Sequence, residues 1–144
     1  MPEPILFAPC EKVILDTDGL VSLITVIERL EVTVPPGIQL PPNAAIPQRW
    51  QSLAIWRLEE SEAGQYEQMT DLIVPDGSVA MHTEPMALKP TTPGRATGAK
   101  IISTLTLVPL TDGPLRLRLF YRRIGEQEWT PAAAYPVDVV LIRK

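Results

Sequence analysis

The sequence has very few of the residues that build metal and catalytic centres. Its 144 residues include one cysteine, Cys10, and one histidine, His82. A single cysteine excludes an internal disulfide and any zinc site made of several thiolates. A single histidine excludes the common zinc sites that use two or three histidine ligands. We therefore predict no metal site and no cofactor.

Long apolar runs are also missing. No segment approaches the run of about 18 apolar residues that indicates a membrane-spanning helix. The first residues, M-P-E-P-I-L-F-A-P-C-E-K, have no basic start and too short an apolar run for a signal peptide. The sequence therefore predicts a cytoplasmic protein without a membrane partner. Its length suits one domain over residues 1–144, and its 45% of hydrophobic and 21% of charged residues are ordinary for a globular protein.

Basic residues are scarce in the first part of the chain. Residues 1–90 carry 13 acidic and 5 basic side chains, whereas residues 91–144 carry 4 acidic and 8 basic ones, and the net charge is −4. The acidic balance argues against a nucleic-acid partner, which would favour a basic domain. The uneven distribution can orient subunits or steer a charged protein partner.

Helices have little room, because 16 prolines interrupt the chain. Proline lacks the backbone N–H donor and ends or kinks a helix. The proline-free runs are rich in β-branched residues and in period-two alternation, which indicate strands. These runs are 10–34, 48–74, 94–108 and 115–130.

The clearest strands are predicted at 99–108 and 114–123. In the run 114–123, apolar residues alternate with mainly basic ones. The apolar set is Leu115, Leu117, Leu119 and Tyr121, and the other set is Arg116, Arg118, Phe120 and Arg122. Such alternation is typical of a strand with one buried and one solvent-facing side. The pair Asp112-Gly113 between the two runs predicts that they form a hairpin.

The rest of the chain adds further strands and two long loops. Strands are predicted at 52–58, 65–74 and 137–142, with a short one around Trp129. The acidic segment 59–64 is predicted to be a solvated hairpin tip, and V-P-D-G-S at 74–78 a type I turn. Segments 35–47 and 83–98 are predicted to be long loops, of the kind that often carry function, with a short edge strand in the second as an alternative. About eight or nine strands at this spacing indicate a sandwich or a barrel. We predict an all-β, antiparallel β-sandwich.

Residues 16–19 read D-T-D-G, which resembles the start of a calcium-binding loop. The residues that follow, L-V-S-L-I-T-V-I, are apolar and supply none of the further oxygen ligands that such a loop needs. An Asp-Gly pair between two apolar runs is a strong hairpin signal. We therefore predict a tight turn between two strands.

The segment 20–32 is ambiguous. Its apolar residues include a set at helical spacing, Leu20, Leu23, Ile24, Ile27 and Leu30, but several other positions are β-branched. We predict a long strand, bent or bulged, with a helix as the alternative.

Cys10 and His82 are the candidates for nucleophilic chemistry. His82 has no motif around it that would place a nucleophile beside it, so a strand residue is predicted. Cys10 is predicted to be a core thiol, since cysteine is among the most frequently buried residues. No catalytic residue is therefore predicted.

The basic stripe Arg116, Arg118 and Arg122 is the best candidate for an interaction surface, because it includes the aromatic Phe120. It is either a docking surface for an acidic partner or a solvated face with ion pairs to glutamates such as Glu126 or Glu128. Trp50 follows the proline-rich loop and is the aromatic residue most expected to be exposed.

Several segments together resemble a bacterial family of small, uncharacterised β-sandwich proteins. They are A-P-C-E-K-V-I-L-D, G-L-V-S-L-I-T-V-I-E-R-L, L-I-V-P-D-G, I-I-S-T-L-T-L-V-P-L, G-P-L-R-L-R-L-F-Y-R-R and Y-P-V-D-V. The resemblance covers most of the chain and implies an immunoglobulin-like fold. It implies no activity and no functional residue.

These observations predict a protein that binds another protein and is not an enzyme. The partner is expected to be a different chain or a second copy, bound through the arginine stripe or an edge strand. The alternative is a small-ligand or carbohydrate-binding module that uses Trp50 and the loops. A hydrolase built on His82 is the third hypothesis.

Overall fold

The computed structural model describes residues 1–90 and 98–144, and this part of the chain is all-β. One 3-10 turn, Glu60–Glu62, interrupts the strands. Ten strands are present in the described residues, against the eight or nine predicted. They are β1 (Glu3–Leu15), β2 (Val21–Val26), β3 (Arg29–Val34), β4 (Ala45–Arg57), β5 (Tyr66–Ile73), β6 (Val79–His82), β7 (Met86–Ala87), β8 (Gly98–Pro109), β9 (Gly113–Arg123) and β10 (Thr130–Arg143).

The strands form two sheets. One has four strands in the order β2-β1-β4-β8, and the other has the order β3-β10-β9-β5-β6, with β7 also paired to β5. Every pair is antiparallel except β3 with β10, which is parallel. The prediction of an all-β chain is confirmed for the described residues, and the predicted antiparallel pairing holds except between β3 and β10.

The main core contains buried side chains from both sheets. Trp50, Leu105 and Val108 from the four-stranded sheet pack in one cluster with Leu72 and Leu117 from the other. The predicted alternation of buried and solvent-facing side chains in β9 is confirmed. Leu115, Leu117 and Leu119 are fully buried, and the arginines between them are not. Burial of each such leucine stabilises the fold by about 1.5–3 kcal/mol.

A smaller cluster lies on the other side of the four-stranded sheet. Cys10, Val13 and Leu53 are buried there, and Leu23 and Ile102 pack against them. Adjacent residues of a strand face opposite sides, so Leu53 points away from Ala54, which packs with Trp56 and Leu119 in a second cluster. The β1–β2 hairpin therefore folds back over β4 and β8. At its tip the carbonyl of Gly19 accepts a hydrogen bond from Lys100 of β8.

The D-T-D-G segment forms the predicted turn between β1 and β2. Asp16 Oδ1 accepts hydrogen bonds from the backbone N–H groups of Asp18 and Leu20, at 2.9 and 3.0 Å. Gly19 has a φ of 80°, which glycine adopts without a steric cost. The aspartate therefore organises the turn through its own backbone, which is a common use of aspartate in turns.

The ambiguous segment 20–32 is extended, as predicted, but it is not one strand. It divides into β2 and β3, which belong to different sheets. Ile27 lies between them, is buried in the main core, and donates its N–H to the carbonyl of Pro9 at 2.9 Å. Thr25 at the end of β2 has a φ of 54°, which is unusual for a β-branched residue. The helical spacing of the apolar residues does not mark one buried side, because Ile27 is buried whereas Leu20 and Ile24 are exposed.

The predicted hairpin at Asp112-Gly113 is wrong. The strand predictions 99–108 and 114–123 are correct, but β8 pairs with β4 whereas β9 pairs with β5 and β10. Residues 110–112 instead cross from one sheet to the other. Asp112 Oδ1 accepts a hydrogen bond from the N–H of Leu141 at 2.9 Å, which fixes the crossing to β10.

The acidic segment 59–64 is also not a hairpin tip, because β4 and β5 lie in different sheets. Its Glu62 is buried rather than solvated, with 7% of its surface exposed. The Glu62 carboxylate accepts hydrogen bonds from the N–H of Glu59 at 2.8 Å and pairs with the amino group of Met1 at 2.9 Å. These contacts lower the pKa of Glu62 against the opposing effect of its burial.

The predicted loops are shorter than expected. β4 begins at Ala45 and contains Pro47, where its register with β8 shifts, so the first loop ends at residue 44. Proline is tolerated in a strand at such irregularities. In the second loop, Met86–Ala87 forms the short strand β7, which pairs with β5. Residues 91–97 of this loop lie outside the described part of the chain. The predicted strand 137–142 is confirmed as part of β10, which begins at Thr130, directly after Trp129.

Candidate interaction surfaces

The predicted arginine stripe lies on the outer side of the six-stranded sheet. Arg116, Arg118, Phe120 and Arg122 alternate with the buried leucines of β9, and their neighbours on β5 are Ile73, Asp71, Met69 and Glu67 in that order. Arg116 and Arg118 also neighbour Pro136 and Ala134 of β10. The sequence therefore placed these four residues on the correct side of the strand.

Two of the three arginines are paired with acids of the adjacent strand. Arg118 donates from Nε and Nη2 to the two oxygens of Asp71, at 2.8 and 2.6 Å. Arg122 donates from Nε to Glu67 at 2.7 Å. The acidic partners therefore come from β5, and not from Glu126 or Glu128 as expected.

The same arginines also contact aromatic rings. The guanidinium of Arg118 lies 4.9 Å from the centre of the Phe120 ring, and that of Arg122 lies 4.0 Å from the Trp129 ring. Hydrogen bonds to Asp71 raise the pKa of Arg118, so its charge is fixed at all working pH values. Arg118 and Arg122 thus make their ion pairs and aromatic contacts within the protein. This favours a solvated face with internal ion pairs over a docking surface for an acidic partner.

Asp71→Asn should lower the free energy of unfolding by about 1 kcal/mol. The carboxylate of Asp71 is 7% exposed but the Arg118 side chain is 36% exposed, so solvent screens the pair and keeps the loss near that of a partly exposed ion pair. Urea unfolding in low and high salt measures it. Glu31→Gln, in an exposed pair with Arg29, is the control and should change stability by less. Equal losses in both variants would contradict the assignment.

Trp50 is buried, and the prediction that it is exposed is wrong. Only 1% of its surface is accessible, and its indole N–H donates to the carbonyl of Leu107 at 3.0 Å. The residue follows the shift in register at Pro47, which the sequence pattern does not reveal. A ligand site that stacks on Trp50 is therefore not available in this fold.

Cys10 is fully buried, as predicted for a core thiol. Burial raises the pKa of its thiol, which disfavours the reactive thiolate. His82 is exposed at the end of β6, directly opposite Asp71 of β5, and its Nδ1 lies 3.5 Å from the carbonyl of Thr83. Within residues 1–90 and 98–144, no group of three or more His, Cys, Asp or Glu side chains is placed to hold a metal ion.

An exposed apolar surface that the sequence did not predict lies on the β1–β2 hairpin. We call it the hairpin surface. Its members have between 41% and 64% of their surface exposed: Ile14, Ile24 and Val26 lie on one side of the hairpin, and Leu15 and Leu20 flank its turn. The opposite side of the same hairpin, with Val13 and Leu23, packs on β4 and β8. The sequence contained a signal for this surface, because V-S-L-I-T-V has apolar residues on both sides of the strand. A strand with one solvent-facing side normally has polar residues on that side.

A cleft opens at the end of the molecule where the Val74–Ser78 turn meets the loop before β4. Its volume is about 480 Å³. Most of the lining residues are Ala, Val, Leu or Pro, the others are Asn43, Asp76, Ser78 and Thr111, and the wall exposes both polar and apolar surface. Residues 42–45 of the predicted loop 35–47 therefore line a cavity, whereas the aromatic residue predicted to act with this loop, Trp50, does not.

No helix in the described ranges 1–90 and 98–144 is long and apolar enough to cross a membrane.

Comparisons with known proteins assign no role to these surfaces. Neither protein-family models nor curated protein sequences gave a match to this chain.

Proposed function

We propose that the chain is an immunoglobulin-like β-sandwich that acts as a non-catalytic interaction module, and that its partner is a second copy of itself. The contact is the free edge of β2 together with the hairpin surface. The observation that carries this proposal is an edge strand that is exposed, apolar and uncharged. Strands of that kind pair readily with other chains, which natural proteins normally prevent.

The edge of β2 is less protected than the other edges of the two sheets. Among the described residues β2 pairs only with β1, and its sequence, V-S-L-I-T-V, has no charge and no proline. In contrast, β3 carries the exposed ion pair Arg29–Glu31, β6 has only four residues, and β8 carries Lys100 and ends at Pro109. Charges, proline and shortness are the features that discourage edge pairing.

A second copy is the partner that fits the charges best. Because β2 is uncharged, two β2 strands can pair without like-charge repulsion between their own side chains, and Lys12, opposite Ile24, belongs to the neighbouring strand β1. An antiparallel β2–β2 contact would join two four-stranded sheets into one of eight strands. It would also cover Ile24 and Val26 of both copies, which are now half exposed.

Ile24→Lys should convert the dimer into a monomer, or weaken it at least about tenfold, because a lysine on the edge must be desolvated for pairing. Light scattering or sedimentation over a concentration series measures the mass. Thr106→Lys is the control, because Thr106 is exposed on β8, the other edge of the same sheet. It should leave the dimer intact.

Two results would overturn the proposal. One is a wild-type protein that is monomeric at every concentration up to its solubility limit. The other is an equal loss of association in Ile24→Lys and Thr106→Lys. A cytoplasmic location and the absence of catalysis remain predictions, and a hydrolase screen with His82→Ala tests the second.

A further inference from the structure

The cleft described above lies between the exposed edges of the two sheets. β8 is an edge of the four-stranded sheet and β6 is an edge of the other, and both contribute to the wall. The loop before β4 and the Val74–Ser78 turn close its two ends. A volume of about 480 Å³ falls within the range of about 300–1,000 Å³ that is usual for small-molecule sites.

The walls of the cleft are held open by rigid residues. Pro42, Pro75 and Pro109 have a fixed φ and no N–H donor. On one side the N–H of Leu110 donates to the carbonyl of Ala44 at 2.8 Å, and on the other the N–H of Val74 donates to the carbonyl of Ser78 at 3.0 Å. Since both walls are fixed by backbone hydrogen bonds, the cavity is formed before any ligand enters, which lowers the entropic cost of binding.

One charge faces this cavity. Asp76 Oδ1 accepts hydrogen bonds from the backbone N–H and the hydroxyl of Ser78, at 2.8 and 2.6 Å. These two hydrogen bonds lower the pKa of Asp76, so the carboxylate is ionised at neutral pH. Within residues 1–90 and 98–144, its second oxygen has no hydrogen-bond partner, and no lysine, arginine or histidine lines the cleft. The lining therefore mixes apolar side chains with polar groups, and Asp76 is the charged side chain among its residues.

We propose that this cleft binds a small organic cation, namely a primary ammonium group attached to an apolar body. The ammonium would donate a charge-assisted hydrogen bond to the carboxylate of Asp76. The hydrocarbon part would contact Val74, Val79 and Leu107, which line the same cavity. Val79 is 53% exposed and would lose that exposure on binding. This site is independent of the proposed dimer, because β2 contributes nothing to it.

Benzylammonium is the probe, with benzyl alcohol and benzoate as its neutral and anionic counterparts. In ¹⁵N–¹H NMR spectra benzylammonium should cause saturable shifts at the amides of Val79, Ala80 and Thr111. Benzyl alcohol should bind about tenfold more weakly, because it lacks the charge that the carboxylate recognises, and benzoate should not bind.

Asp76→Asn should weaken benzylammonium binding about tenfold and bring it close to that of benzyl alcohol. Asp18→Asn, at the exposed tip of the β1–β2 hairpin, is the matched control and should bind as the wild type does. The spectra themselves report whether each variant is folded. The proposal is overturned if benzylammonium causes no saturable shifts, if the three probes bind equally, or if the two variants lose affinity to the same extent.

Discussion

Trp50→Ala is expected to lower the free energy of unfolding by about 3–5 kcal/mol, the usual cost of removing a buried tryptophan. The side chain is 1% exposed and packs with Leu105, Val108 and Leu117 in the main core. Its removal leaves a large cavity, and the carbonyl of Leu107 also loses the hydrogen bond from the indole. Urea unfolding followed by far-ultraviolet circular dichroism measures the loss.

The control for this prediction is Trp129→Ala. Trp129 is only half buried, and its main described contact is the guanidinium of Arg122 at 4.0 Å. Loss of such a contact costs about 0.5–2 kcal/mol. If Trp50→Ala proved as mild as Trp129→Ala, Trp50 would not be a core residue, and a ligand-binding role for it would again be open.

Gln68→Leu is expected to destabilise the protein by about 1–3 kcal/mol, although it replaces a polar side chain in the core by an apolar one. Gln68 is 1% exposed, and its Oε1 accepts a hydrogen bond from the indole N–H of Trp56 at 2.6 Å. Trp56 is itself fully buried, so no water can replace the lost acceptor. The penalty is the desolvation of an unpaired N–H group.

A double-mutant cycle with Trp56→Phe tests this mechanism. Phenylalanine has no N–H to satisfy and keeps an aromatic ring near Tyr121, whose ring lies 5.6 Å from that of Trp56. The double variant should therefore be more stable than the sum of the two single losses predicts, by about 0.5–3 kcal/mol. Strictly additive losses would contradict a direct interaction between Trp56 and Gln68.

The reliable sequence predictions were those that depend on neighbours along the chain. Alternation in 114–123 identified both sides of β9, because period two is a property of any extended backbone. The turn at Asp16 was predicted for a similar reason, since the side chain that organises it is two to four residues from the groups it binds. The buried Cys10 followed from the general preference of cysteine for the interior.

The errors arose where the answer depends on residues far away in the chain. Asp112-Gly113 has hairpin chemistry, but the side chain of Asp112 binds the backbone of Leu141, 29 positions away. Glu62 was expected in solvent, and Trp50 was expected at the surface. Each is buried by strands that the local pattern cannot identify as neighbours.

The candidate sites divide in the same way. The sequence located the arginine stripe but not its partners on β5, and it located the loop before β4 but not the cleft that this loop completes. The hairpin surface was missed, because both sides of β2 are apolar and only the packing of β1 and β2 on β4 and β8 leaves one of them exposed.

By itself the sequence determined that the described residues are mostly strands, that a tight turn lies at Asp16–Gly19, and which side of the most regular strand is buried. These are consequences of backbone sterics and of the alternation of side chains, which act over a few residues. Only the tertiary structure decided which strands pair, which charges are neutralised and which apolar side remains open. Those outcomes depend on contacts between residues tens of positions apart, and many pairings of ten strands satisfy the same local pattern.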